Sequence, residues 1–522
     1  MSSVRSIGSR PRGSFAVHAG TGAGLAVVAA LSVFLATHTG IPSVGFVAGV
    51  AVGVPLVIWM FAAENMDRPL IALLLYLGLL DGFLKLRSGS TAVTLLRDVL
   101  LYAILLGWLA RAVLRRERVQ LPPLSGWILA WTAAVLIQVV NPGDTGTLHT
   151  LAALRPHLEF VPLFFVGYTV MRSSRRLQVL FFLLLVIATA NGIVGLIQLN
   201  LTPAQLSSWG PGYAFRITGT GTGLNHVASR TFVTNSGVQR VRPPGLGSDE
   251  GVGAVWGMLS IAGGLALLSL GRLRAFGSKG RWLLLLCVGP PLAIVSGEAR
   301  SYLVGSILAI FAYVYFATSV RRLIPTLTSV IVGLAVILGV VAYIGSVSGS
   351  SVFQRYLTIT PSKLTATTSE DRGSSFDAIP KLIIDHPLGD GLGSSGPAAG
   401  FAGGGNAGAN GETQPGFLLS ETGIPGLIIF YGFNVNLLLL AVRRTRYLDP
   451  SVRPLIAAVL AGFVALLIVG ITANTSAISP NAPFLWFGGG TLAYWLTEGF
   501  RTRSAPSVDS NPAEATRAVV PA

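Results

Sequence analysis

Long apolar runs dominate the chain, broken at intervals by arginine, glycine and proline. Fourteen of these runs are long enough to cross about 30 Å of hydrocarbon as helices. They lie near 23–40, 43–62, 69–86, 92–112, 124–140, 156–171, 177–199, 251–270, 282–297, 301–318, 323–345, 416–442, 455–474 and 480–497. The pattern predicts an all-α polytopic membrane protein of about 12–14 transmembrane helices, with the hairpins 282–318 and 455–497 the least sharply bounded. A second span follows the first at once and no small-residue cleavage site separates them, so a retained helix is expected and not a cleaved leader. The implied organisation is a tail 1–22, helices 1–7 over 23–200, a polar loop 201–250, helices 8–11 over 251–345, a larger loop 346–415, helices 12–14 over 416–497 and a tail 498–522. The last stretch, 504–522, is rich in Pro, Ala and Ser and reads as disordered.

Composition sharpens this picture. Charged residues are only 11% of the chain, and mean hydropathy is +0.67. A soluble domain carries about 25% charged residues, so a lipid bilayer is the expected solvent. The single cysteine, Cys287, excludes a disulfide framework and a cysteine-based zinc site. Only Lys85, Lys279, Lys363 and Lys381 are lysines among the 37 basic residues, an arginine bias that fits a GC-rich bacterial genome. The net charge of +16 raises the question of nucleic acid, and the positions of the arginines answer it. With the N-terminus inside, the cytoplasmic tails and short connections hold 24 of the 37 Arg and Lys and seven of the 21 Asp and Glu, leaving 13 and 14 elsewhere. Basic residues mark the cytoplasmic side of membrane helices, so the basicity is a topology signal and requires no nucleic-acid partner. Both termini are then cytoplasmic, and both long loops are extracytoplasmic.

A loop of about 70 residues between two spans is usually functional. Within 346–415 the Gly/Ala/Asn run 396–411 reads as a flexible linker. The part before it differs. Phe376, Ile379, Leu382, Ile383 and Ile384 recur at near-helical spacing after Asp371 and Arg372, which predicts a short amphipathic helix on the membrane surface. Pro387 and Gly389 would end it, and Gly389, Gly391 and Gly393 would let the chain turn tightly against other backbone or a ligand. The loop 201–250 carries Arg216, Arg230, Arg240 and Arg242 with only Asp249 and Glu250 as acids. Guanidinium groups grip phosphate oxygens bidentately, so this composition suits an anionic ligand, though an ordinary solvated loop would read the same way. Arg242, against a Pro-Pro-Gly turn at the membrane surface, is the stronger candidate.

Charges inside spans are costly and usually functional. Arg97 and Asp98 lie in the fourth span; Arg155, His157 and Glu159 open the sixth; Glu298 and Arg300 sit where spans nine and ten join; Glu421 lies in span twelve. The topology places all of them in the outer half, where one outward-facing site would gather them. Local pairing is the competing account: Arg97 with Asp98 or another acid, and Arg155 with Glu159 four residues on.

The order of motifs from about residue 70 to 495 resembles the O-antigen ligase and polysaccharide polymerase superfamily of bacterial inner-membrane proteins. "LRPHLEFVPLFFVGY" followed by "ANGIVGLIQL" is similar to the family's arginine-led helix and the next helix ending in Gly-x-x-Gln. "RVRPPGLGSDEGVGA" and "VSGEARSYLVG" resemble two of its helix starts. "EDRGSSFDAIPKLIIDHPLGDGLG" and "GFLLSETGIPG" resemble its large outer loop and the helix that follows. The resemblance implies metal-independent glycosyl transfer outside the cytoplasmic membrane, with no cofactor, from a polyprenyl-diphosphate-linked oligosaccharide donor to a glycan acceptor. Chain-length regulator and flippase proteins would be further partners. Developing charge on a diphosphate leaving group needs fixed cations, and the residues carried over for that role are Arg155, Arg242, Arg300 and Arg372.

One departure matters. Ligases of the family place a histidine before the last motif. Here gap-free counting back from Glu421 puts Glu412 there, and aligning Gly-Phe-Leu puts Gln414 there. Glu412 is therefore the first candidate for a general base and Asp371 the second. The loss favours a polymerase of capsule or exopolysaccharide repeats over a strict ligase. His226 reads as a loop residue, and His386, in His-Pro-Leu-Gly, as a structural one. A polyprenyl-glycan flippase is the alternative from another class. Fourteen spans suit it, but two long outer loops do not match its usual short loops and related halves.

Overall fold

A computed structural model describes residues 53–89, 92–116, 121–141, 147–218, 231–233, 239–271, 280–318, 323–326, 328, 332, 376–396 and 413–500. The first predicted span, half of the second and most of 323–345 lie outside these residues, as do Asp371, Arg372, Glu412, Arg230 and His226. The described chain is almost entirely helical, with one two-stranded antiparallel ribbon.

In chain order the helices are α1 (Gly53–Ala62), α2 (Asp67–Leu75), α3 (Asp81–Ser88), α4 (Ala92–Leu114), α5 (Ser125–Ile137), α6 (Thr147–Leu158), α7 (Leu163–Val170) and α8 (Ser174–Leu199). Two short helices, α9 (Pro203–Ser207) and α10 (Pro211–Thr218), precede the ribbon β1 (Thr231–Val233) and β2 (Gln239–Val241), in which Phe232 pairs with Arg240. Then come α11 (Val252–Ser269), α12 (Gly280–Ser296), α13 (Arg300–Ala317), α14 (376–385), α15 (Gln414–Arg444), α16 (Arg453–Val469) and α17 (Asn481–Leu496). Among the described residues five segments are long and apolar enough to cross a membrane: Asp67–Ser88, Ser174–Leu199, Val252–Ser269, Arg300–Ala317 and Gln414–Tyr447. The chain is an all-α membrane protein on that ground.

The centre of the bundle is α11, which packs on α8, α12, α13 and α16. Its residues from Val252 to Ser260 are all buried, so it is apolar all round and not striped. Exposed Ile58, Val113, Leu114, Leu129, Phe182, Ile428 and Leu439 lie on other helices, an apolar surface suited to lipid. Where helices cross closely the side chain has been reduced to glycine. At the α7–α17 crossing, a Cβ on Gly167 would meet the Phe487 carbonyl and one on Gly490 would meet that of Phe164.

Two spans differ from the sequence expectation. The run 156–171 is not one helix: α6 ends at Leu158 and α7 begins at Leu163. Pro162 has no N–H to give to a helical ladder, and the gap is bridged by tight turns, Leu163 N to Phe160 O at 3.0 Å and Phe164 N to Val161 O at 3.0 Å. Arg155 and His157 therefore lie in the last turn of a helix and do not open one, at the end where unpaired carbonyls favour cations. The run 69–86 likewise contains a wide turn, Tyr76–Leu80, before α3.

Candidate functional site

The most polar region inside the bundle is built by α4, the end of α6, the break in α15 and the loop after α14. Arg97 and Arg155 each bridge the same two carboxylates. Arg97 donates from Nη2 to Glu159 Oε2 at 3.2 Å, with Oε1 of the same carboxylate 3.0 Å away, and from Nε to Asp98 Oδ1 at 3.3 Å. Arg155 donates from Nη2 to Asp98 Oδ1 at 2.9 Å and from Nε to Glu159 Oε2 at 3.2 Å. The result is a closed, neutral square. Its corners are unequal: the Arg155 side chain is 38% exposed, that of Arg97 13% and that of Glu159 3%. Arg155 is thus the corner most open to a ligand. Arg97 is held beneath, with its guanidinium 5.4 Å from the Phe160 ring centroid.

Next along α6, His157 Nε2 lies 2.7 Å from Glu421 Oε2, with neither side chain exposed. The imidazole stacks on Phe417 at 4.8 Å, and Trp131 donates its indole N–H to the His157 carbonyl at 3.3 Å. Glu421 also accepts from the Ser395 amide at 3.3 Å, so one carboxylate ties α6, α15 and the loop together.

The break in α15 explains how that loop is held. Gly423 has φ 64° and ψ −165°, a conformation essentially restricted to glycine. An unbroken helix would pair Ile424 N with Ser420 O. Here the loop supplies both partners: Ile424 N donates to Pro387 O at 2.9 Å, and Ser420 O accepts from Asp390 N at 2.7 Å. The loop backbone is thus inserted into the helix ladder, and these buried groups remain satisfied. From the other side Gln138 Nε2 donates to Leu388 O at 2.8 Å and Asn141 Nδ2 to Gly389 O at 3.1 Å. Gly389, Gly391 and Gly393 have φ of 87°, 94° and 83°. A Cβ on Gly389 would lie 2.8 Å from Gly423 N. Close backbone approach at this position is therefore a fact of the structure.

A second charged group adjoins the first. Arg242 donates to Glu250 at 2.7 Å, and Arg216 lies 3.4 Å from Asp249. These four residues, with the buried Tyr213, line a cavity of about 20 Å³, the room of a single water. Burial, partly opposed by the charge of Arg87, pushes the pKa of the Tyr213 phenol up, so it stays a donor at any physiological pH. Lys85 lies within electrostatic range of Arg216 and Asp249, and Asp81 within range of Arg97 and Arg155, which links the two groups through α3. Arg300 begins α13 directly beside this region: a Cβ on Gly251 would lie 3.0 Å from that of Ala299. The preceding Glu298 is buried at φ 48°, an uncommon conformation for a side-chain-bearing residue.

Of the sequence candidates, then, Arg155 sits in the square, Arg242 in the second group, Arg300 beside it, and Gly389, Gly391 and Gly393 in the docked loop. Arg372, Asp371 and Glu412 lie outside the described residues. Gln414, the other residue at the family's histidine position, is fully engaged. Its Oε1 accepts from Thr475 N at 2.9 Å and Ser476 N at 2.8 Å, and its Nε2 donates to Ser476 Oγ at 2.6 Å. It is a clamp on the α16–α17 turn. His386 pairs with Asp390 at 2.5 Å within its own loop.

Asp81, Lys85, Gln138 and Asn141 were not singled out from the sequence. The first two could have been, because an acid and a lysine inside an apolar run are costly in lipid. Among the described residues no three His, Cys, Asp or Glu side chains converge as metal ligands. No protein-family model matches the chain, and no match was found among curated proteins.

Proposed function

We propose that the chain is a glycosyltransferase of the bacterial cytoplasmic membrane that joins polyprenyl-diphosphate-linked glycan repeats on the outer face, for exopolysaccharide or capsule. The observation that carries this reading is the arginine-bridged square beside a loop inserted into a broken helix. Arginines held by carboxylates within a bilayer form a cationic site that is neutral at rest. A diphosphate entering it competes with Asp98 for the open fork of Arg155 and with Glu250 for that of Arg242. Both ion pairs are partly exposed, so the exchange needs no opening of the core.

In the reaction an acceptor hydroxyl oxygen attacks the anomeric carbon of the donor sugar. The bond from that carbon to the diphosphate oxygen breaks, and the leaving diphosphate takes the electron pair. Fixed guanidinium groups stabilise charge that grows on the leaving oxygens. The acceptor proton passes to a carboxylate, for which Glu412 is the first candidate and Asp371 the second. Arg300 and Arg372 would complete the cation set. Both termini are cytoplasmic in this reading, with the loops 201–250 and 346–415 outside. No cofactor is invoked.

The test is complementation of a deletion strain, reading extracellular glycan length on gels. Inserted Arg155→Ala, Arg242→Ala, Arg372→Ala and Glu412→Gln variants should each yield short glycan outside in place of polymer. A loss of about 10²–10³ in rate is the scale for one donor to developing charge. Normal polymer with Arg155 and Arg242 both removed would sink the diphosphate reading. Accumulation of repeats on the cytoplasmic side in the deletion strain would replace it with the flippase.

A further inference from the structure

A second site lies elsewhere in the bundle. A cavity of about 500 Å³ opens between α2, α7, α8, α11 and α17. Its polar lining is confined to one end: Arg172 and Ser173 from the α7–α8 turn, Arg175 and Arg176 from the first turn of α8, and Asp67 from the start of α2. Arg176 joins the two segments there, 3.0 Å from Asp67 Oδ1, and donates a second bond to Val170 O at 2.8 Å. The rest of the wall is apolar, with Leu74 and Leu77 facing Leu180, Leu184, Trp256 and Phe484. From Arg176 to Leu184 the wall follows α8 for about 12 Å at 1.5 Å per residue. That is close to half of the roughly 30 Å hydrocarbon thickness, the depth of one leaflet.

The cationic mouth is preorganised. The Arg172 guanidinium lies 5.3 Å from the Tyr168 ring centroid and 5.1 Å from that of Tyr494, and its Nε donates to Tyr168 O at 3.2 Å. Arg172 and Arg175 are both exposed, and Arg176 bonds Asp67. Three guanidinium groups against two carboxylates, Asp67 and the Glu498 that bonds Tyr168, leave the mouth with a net positive charge beside an apolar shaft. We infer that this cavity binds an anionic glycerophospholipid of the adjacent leaflet. Its single phosphodiester sits in the forks of Arg172 and Arg175, and one acyl chain fills the shaft. A zwitterionic lipid brings no net charge to such a mouth. A polyprenyl phosphate brings a dianion towards Asp67 and a chain far longer than one leaflet. The Asp67 carboxylate would accept from a headgroup hydroxyl, which favours phosphatidylglycerol within the class.

The experiment uses the full chain purified in a neutral detergent. Apparent Tm is read while phosphatidylglycerol, phosphatidylcholine or a polyprenyl phosphate is titrated. Phosphatidylglycerol should raise Tm saturably and phosphatidylcholine should not. The double variant Arg172→Gln/Arg175→Gln should weaken the phosphatidylglycerol response by roughly tenfold or more, at the scale of one basic side chain per lipid charge. Leu74→Trp, which fills the shaft and leaves the mouth intact, should abolish the response. Equal responses to phosphatidylglycerol and phosphatidylcholine, an unchanged midpoint in the double variant, or a stronger response to polyprenyl phosphate would each overturn the proposal. Should Leu74→Trp fail to yield monodisperse protein, the double variant decides alone.

Discussion

At the scale of single residues, the pair His157–Glu421 is the most exacting contact in the molecule. Both side chains are fully buried and 2.7 Å apart. Removing one partner leaves the other without its bond in a site that water does not reach, at a cost of about 1–3 kcal/mol, more if charge is left behind. Glu421→Leu should therefore lower the apparent Tm in detergent clearly more than Glu421→Gln, which can still accept from His157 and Ser395. Equal losses would mean that the carboxylate is held by packing alone. Gln414 makes a parallel case. Gln414→Ala orphans the Thr475 and Ser476 amides and should cost about 2 kcal/mol or more, read as loss of Tm. Its bonds leave no free lone pair positioned to act as a base. The square shows where sequence reading stops. Arg97–Asp98 and Arg155–Glu159 are visible as neighbours on a helix. The cross pairs Arg97–Glu159 and Arg155–Asp98 span 62 and 57 positions, and only the fold, which brings these side chains of α4 and the end of α6 together, creates them.

At the scale of elements, the loop after α14 and the break in α15 are one device. The sequence announces both halves: Pro387 and three glycines in the loop, and Gly423 with Pro425 inside an apolar run. The helix at 376–385 was legible from its periodicity, and Ile384 and Leu388 are exposed, as a segment resting on lipid would need. That Ser420 and Ile424 exchange their mutual bond for two bonds to the loop was not legible, because it depends on which backbone enters the gap. Gly423→Ala tests the device. A Cβ there would collide with the Leu388 and Pro387 backbone, and φ 64°, ψ −165° is denied to alanine. A loss of about 3 kcal/mol is expected from strain and the two exchanged bonds together, read as a lower Tm. Pro425→Ala restores an N–H and leaves the loop docked, so it should be milder by at least half. The interruption at 159–162 was missed for a related reason: apolar content continued across Pro162, and composition outvoted the missing N–H.

At the scale of the whole molecule, the span pattern and the arginine distribution make one joint statement about orientation. Ends of helices that carry Arg172, Arg175 and Arg176, or Arg443, Arg444 and Arg446, should share a side, and the short helices α9 and α10 should lie on the other. The single native cysteine makes this testable by labelling in a Cys287→Ala background. Ser208→Cys, exposed at the end of α9, should react with an impermeant maleimide in intact spheroplasts. Ser451→Cys, exposed between α15 and α16, should react only after the membrane is permeabilised. The two proposed sites depend on the result differently. If the labelling is reversed, the square and the inserted loop face the cytoplasm and cannot meet a donor presented outside, so the glycosyl-transfer reading fails. The lipid cavity survives reversal, because its amphiphilic lining fits a phospholipid from whichever leaflet its arginines face. A reversed chain would also place 24 basic and seven acidic residues outside, against the bias that sets membrane topology. The labelling experiment therefore comes before any assay of glycan length.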